Sequence, residues 1–133
     1  MVAAWFRAQT LDGPALRSWG RWERAYSSEV ARVEVLRTLH RLRLNGVVTE
    51  AQLIVEIGRF EELALRIVWL PILPAVLELA AERFPTHVRT LDAIHLATAN
   101  IARRSGLRDL VFATHDRQLA RAAAALGFTV EGV

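Results

Sequence analysis

Apolar residues recur three and four apart along most of this chain. At a few places the spacing tightens into short runs bounded by glycine, proline or polar residues. The first pattern predicts amphipathic helices and the second short strands. Pro14, closing the turn "DGP" (12–14), opens a helix to about Glu23. "AYSS" (25–28) is β-compatible, and Ser28 is placed to cap a long helix over 29–45 that stops at "NG". Thr49 caps a second long helix (49–66), "IVWLPI" (67–72) reads as a strand, and Pro74 starts a helix that ends before Pro85. Thr90 caps a helix to about Ser105. The last third is strand "DLVFAT" (109–114), helix "DRQLARAAAAL" (116–126), Gly127, and strand "FTV" (128–130). Strand, helix and strand in so short a span form a βαβ unit, which implies parallel pairing. The expected class is α/β, rich in helix, with short parallel strands.

One helix breaks the amphipathic rule. Between Asp92 and Arg103 there is no formal charge, only His95, Thr98 and Asn100 among aliphatics. A helix apolar nearly all round belongs in the middle of a fold, and a carboxylate near its start needs a partner there. Asp116 stands just past a strand, where ligands of open parallel sheets bind. Glu34 lies in the second turn of the 29–45 helix. Three acids near helix beginnings are thus expected at one edge of the sheet. A hard divalent cation, Mg²⁺ or Mn²⁺, relieves such repulsion with oxygen ligands.

Each residue also has a plainer role open to it. Asp92 suits the positive end of the helix dipole, and Asp116 suits an N-cap. Glu34 shares a face with Arg37, an ordinary ion-pair partner. His95, three residues beyond Asp92, suits a hydrogen-bonded core role better than that of a ligand. Thr114 either supports a ligand carboxylate or stabilises its turn. His40, His87 and His115 have no zinc spacing. The four tryptophans read as core or interface anchors, not as base-stacking platforms.

Composition narrows the class further. The 133 residues suit one domain, and 53% hydrophobic content supports a core. No run approaches the roughly 20 apolar residues of a membrane span, and the first residues do not read as a signal peptide. Cysteine is absent, so thiolate metal sites are excluded and a cytoplasmic location is expected. All 17 basic residues are Arg, yet the net charge is only +3, which permits nucleic-acid contact without demanding it.

Taken together, three segments resemble the PIN-domain ribonucleases, and among them the VapC-type toxins of toxin–antitoxin pairs. "SSEVARVEVLRTLHRL" (27–42) is similar to that family's Ser-to-Glu-to-Arg segment, with Glu34 in the acidic position. "VRTLDAIHLATA" (88–99) resembles its most specific signature, with Asp92. "VFATHDRQLARAAAALGFTV" (111–130) resembles its closing Thr–x–Asp, helix, Gly, strand pattern, with Asp116. The resemblance implies a three-layer α/β/α fold and a site of Glu34, Asp92 and Asp116 holding one or two Mg²⁺ (or Mn²⁺) ions. It further implies RNA cleavage, a homodimer and a cognate antitoxin. That family opens with a strand ending in Asp and then Ser or Thr, the central strand of a sheet ordered 3-2-1-4-5. Here "VAAWFRAQ" already resembles the first helix, so residues 1–133 are expected to be one N-terminally truncated PIN-like domain. The central strand and its carboxylate are expected in frame ahead of Met1. Two other readings stand beside the nuclease. One is a catalytically degenerate PIN-fold module that dimerises and binds an antitoxin; the other is an Arg-rich helical DNA-binding protein.

Overall fold

The structure, a computed structural model, describes residues 24–133. The helices expected within 1–23, with Trp5, Trp19 and Trp22, lie outside the described residues. Nine elements follow in the expected order: β1 (Ala25–Ser28), α1 (Val30–Leu44), α2 (Glu50–Ala64), β2 (Ile67–Leu70), α3 (Pro74–Ala80), α4 (Thr90–Arg104), β3 (Val111–Ala113), α5 (Arg117–Ala125) and β4 (Thr129–Glu131). This is the α/β class, with every pairing parallel.

Local chemistry accounts for most boundaries. Thr49 accepts the Gln52 N–H while the Gln52 side chain accepts the Thr49 N–H, a complete capping box. Gly46, at φ +69°, ends α1 in a conformation that costs a side chain dearly, and the N–H groups of Gly46 and Val47 reach back to Arg43 and Leu42. Gly127, at φ +79°, ends α5 in the same way. Two expected caps are not made. Glu29, not Ser28, precedes α1, and Arg89, not Thr90, precedes α4; neither contributes a side-chain cap. Ser28 belongs to β1, and the β1 ladder sets its direction before any helix begins. The helix beginning at Pro74 stops at Ala80, four residues short of Phe84.

The sheet is divided. β1 pairs with β2 and β3 pairs with β4, and among the described residues no strand joins the two pairs. Each pair carries its own core. Val35, Leu39, Leu53, Phe60 and Ala64 fill the first, with Trp69 packed edge-on to Phe60. Leu96, Leu119, Ala122, Ala123 and Phe128 fill the second, where Leu96 of α4 packs among side chains of α5. Between the pairs runs a small cleft, with a cavity volume of about 90 Å³, walled by β1 on one side and β3 on the other, with His95, Thr98 and Ala99 of α4 also lining it.

The backbone facing that cleft can be identified from register. Glu29 N–H donates to Leu70 and Thr114 N–H donates to Glu131. Alternation along a strand then turns the amide groups of Tyr26 and Ser28, and of Val111 and Ala113, away from their ladders and toward the cleft. Ser28 Oγ, on a residue only 3% exposed, has no hydrogen-bond partner. Among the described residues no strand lies between these facing edges of β1 and β3.

Candidate functional site

The central helix answers for most of its own polar groups. Ala93, Leu96, Ala97, Thr98, Asn100 and Ala102 are buried, as its apolar character requires. Thr98 Oγ donates to the Ile94 carbonyl at 2.7 Å, so its hydroxyl enters the core already paired. Asp92 occupies the first turn and is partly shielded, and its partner comes from the residue just before the helix. Arg89 Nε donates to Asp92 Oδ2 at 2.9 Å.

The same guanidinium reaches a second carboxylate from a distant part of the chain. Arg89 NH2 donates to Asp116 Oδ2 at 2.8 Å. Asp116 meanwhile caps α5: its Oδ1 accepts the N–H groups of Gln118 (2.8 Å) and Leu119 (3.1 Å). One oxygen serves the helix and the other serves Arg89. The plain role and the site role thus coexist in one side chain. Thr114 Oγ accepts the Asp116 N–H at 3.1 Å, while its own N–H is tied to Glu131, so the turn that carries Asp116 is fixed at both ends. His115 donates from Nδ1 to the Gly132 carbonyl, and Gln118 donates to His87 Nδ1 and to the His87 carbonyl. These bonds lock the 87–89 segment against the start of α5.

The charges respond to this arrangement. The Leu119 N–H above all holds the Asp116 carboxyl below the usual aspartate range; burial, the next largest effect, opposes it, and the Gln118 N–H and the Arg89 guanidinium add to the lowering. Asp92, by hydrogen bond and by charge, and then Asp116, raise Arg89 further above its ordinary value.

Glu34 stands apart from this pair. Its Oε2 accepts from His95 Nε2 at 2.6 Å, neither group fully exposed. A carboxylate only accepts, so the proton of this bond sits on His95 Nε2. Arg37 is not its partner. His95 is three residues beyond Asp92 and shares its helix face, so the polar side chains form a row along α4: Asp116, Arg89, Asp92, and then, one turn on, His95 with Glu34. Among the described residues no three carboxylate or imidazole groups surround a single point. The sequence expectation of three acids at one edge is realised as two acids on one cation and a third held a turn away. Glu34 rides on α1, which belongs to the first half-sheet, and the cleft separates that half from β3.

Arg89 and the paired role of His95 are what sequence reading passed over. Arg89 lies three residues before Asp92, a spacing that signals an ion pair at a helix start. Its reach to Asp116, twenty-seven residues on, has no local signal.

A comparison with protein-family profiles matches residues 1–125 to the PIN domain. The chain belongs to the PIN-domain family. The same comparison with curated proteins, and with solved structures, returns no match. In this PIN domain the most specific segment recognised in the sequence supplies Asp92 and the closing segment supplies Asp116, and it is these two that converge. No helix among the described residues is long and apolar enough to cross a membrane. Membership of the PIN family points to a nuclease-type function in general terms.

Proposed function

We propose that this PIN domain is a divalent-metal-dependent endoribonuclease, the toxin of a toxin–antitoxin pair. One observation carries the reading: Asp92 and Asp116, brought from separate chain segments, converge on a single positive group, the Arg89 guanidinium. A pair of carboxylates that accepts one cation between them fits a hard divalent ion. Mg²⁺ is commonly held by one or two carboxylates, with waters and substrate phosphates completing its shell. Asp92 and Asp116 would hold the ion, and Glu34 would support it from a turn away. When bound, Mg²⁺ or Mn²⁺ lowers the pKa of a coordinated water and offsets charge on the leaving oxygen of a phosphodiester.

The remaining roles belong to the chain itself. The capping bonds to Gln118 and Leu119 orient Asp116 before any ligand arrives. Thr114 fixes the turn beneath it. His95 holds Glu34 on the α4 face. Preorganised acids of this kind spend no binding energy on reorientation at the moment of reaction.

Two further features support the toxin reading. An acidic pair that already clasps one arginine is suited to an arginine from an antitoxin's tail, bound bidentately. Val33, Ile54 and Val55 leave apolar side chains of α1 and α2 uncovered, which suits a homodimer. The divided sheet favours a second reading, a degenerate module that binds the antitoxin without cleaving. The test is cleavage of a labelled single-stranded RNA by the full chain, with Mg²⁺, with Mn²⁺ and with chelator. Cleavage that needs metal and is lost in Asp92→Asn and Asp116→Asn supports the nuclease. Cleavage that persists in both variants, or in chelator, overturns it; antitoxin capture without any cleavage selects the module.

A further inference from the structure

We infer that Arg89 is an exchangeable occupant of the cation seat: it holds Asp92 and Asp116 in the empty protein and passes to the phosphate of the nucleic acid when the metal enters. This rests on the metal-dependent reading above and adds its regulation.

The geometry sets up the exchange. Arg89 uses two different nitrogens, Nε and an NH2, to hold one oxygen of each acid. It lies on the solvent side, with 63% of its side chain exposed, whereas Asp92 beneath it has 19%. Exposed ion pairs of this kind contribute little and yield readily to a stronger competitor. The backbone of Arg89 is fixed, since its carbonyl accepts the Ala93 N–H at the start of α4, so only the side chain has to move.

Asp116 does not depend on Arg89 for its placement, and the backbone of Asp92 is held by α4. Asp116 keeps its two capping bonds through Oδ1 when Oδ2 is released. Asp92 stays in the first turn of α4, where the helix dipole favours its charge. Removing the arginine therefore leaves two like charges that had shared one guanidinium without their counter-ion, a state that draws in a cation more strongly. Charge balance runs the same way. Two carboxylates with one guanidinium carry a net negative charge; with a dication they are neutral, and an adjacent guanidinium is then repelled. The displaced fork, tethered at the mouth of the site, matches a phosphate's oxygens in geometry and sign.

The two consequences have opposite signs, which no merely structural role predicts. Mn²⁺ titration calorimetry on the full chain at low ionic strength should show Arg89→Ala and Arg89→Gln binding the ion roughly fivefold or more tighter than wild type. In Ca²⁺, which takes the same oxygen ligands without supporting rapid turnover, fluorescence anisotropy should show the same variants binding a labelled RNA several-fold more weakly. Arg89→Lys, which keeps the charge and loses the fork, should recover part of that loss. Circular dichroism verifies that each variant is folded. If Arg89→Ala and Arg89→Gln bind Mn²⁺ no tighter than wild type while Asp92→Asn abolishes binding, the seat exists and Arg89 is not its occupant. If Mn²⁺ binding is absent from wild type and all variants alike, the metal-dependent reading itself fails, and this inference with it.

Discussion

The two halves of this molecule are built on the same plan and held together by different means. The β1–β2 half leans on two fifteen-residue helices, large core side chains and a complete capping box. Its polar side-chain bonds between elements are few, such as Arg32 with Glu61 and Trp69 Nε1 with the Ala64 carbonyl. The β3–β4 half has three-residue strands and a nine-residue helix, too short to be stable alone. It is instead clamped by side chains. Arg103 donates to the Gly127 and Leu126 carbonyls and lies over the Phe128 ring at 4.1 Å, Gln118 ties α5 to His87, and Arg89 ties it to α4. Long elements hold by burial. Short ones need directed polar contacts, and those contacts fix the carboxylates in place. Asp92 and Asp116 lie among these directed contacts, while Glu34 rides on a long helix of the other half.

This contrast can be broken most severely at the cores. Phe60→Ala empties the first core, where Phe60 is 1% exposed, and should cost about 3–5 kcal/mol. Leu96→Ala, at 0% exposed, should cost about 2–5 kcal/mol in the second. Denaturant unfolding followed by circular dichroism measures both. Because α4 packs against β1 and α1 as well as α5, each should lower a single transition; two separate transitions would show the halves to be independent.

The next effect is at the seam. His95→Ala removes the bond to Glu34 that joins the halves, and should cost about 1–2 kcal/mol, since hydrogen bonds to charged groups exceed neutral ones. His95→Gln, which can still donate, should recover part of it. An equal loss in both variants would mean that ring packing, not the bond, carries the contact.

A smaller effect separates the two oxygens of Asp116. Asp116→Ala removes the cap and the Arg89 bond together and should cost about 1 kcal/mol, whereas Asp116→Asn keeps an accepting oxygen for the cap and should cost less. The native carboxyl is held below its unfolded value of about 3.9. The stability it confers is therefore complete above that value and is lost as pH falls through the native one. Thermal melts of wild type should lose stability on acidification below about pH 4, and Asp116→Asn should flatten that limb. An unchanged limb would assign acid sensitivity to other carboxylates.

The finest test is amide exchange. Tyr26, Ser28, Val111 and Ala113, facing the cleft, should exchange faster than Ser27, Phe112 and Thr114, which face their ladders. Uniform protection along β1 and β3 would mean that both edges of the cleft are covered in solution.

Much of this was legible because it is local. The Thr49 box, the glycines at 46 and 127, the apolar run of α4 and the βαβ pattern at the end all act within a few residues, so their signals survive in one dimension. The same holds for Asp116 as a cap. Ser28 and Thr90 were misread as caps for an equally physical reason: a hydroxyl at a helix start is permissive, and the strand or loop leading in decides which residue turns first. Asp92 was recognisable as a carboxylate in need of a partner, and the partner was three residues away.

What the sequence determined alone is the inventory: the elements, their order and parallel sense, and the three acids with the family they indicate. Only the tertiary structure decided how those acids are shared. It joined Asp92 to Asp116 through Arg89, assigned Glu34 to His95, and, among the described residues, paired the strands two by two on either side of a cleft. Local signals depend on backbone conformation and reach about one helical turn. Convergence of side chains twenty-seven and sixty-one residues apart depends on how whole elements pack, and that is set by the sum of many weak contacts that no single stretch of sequence contains.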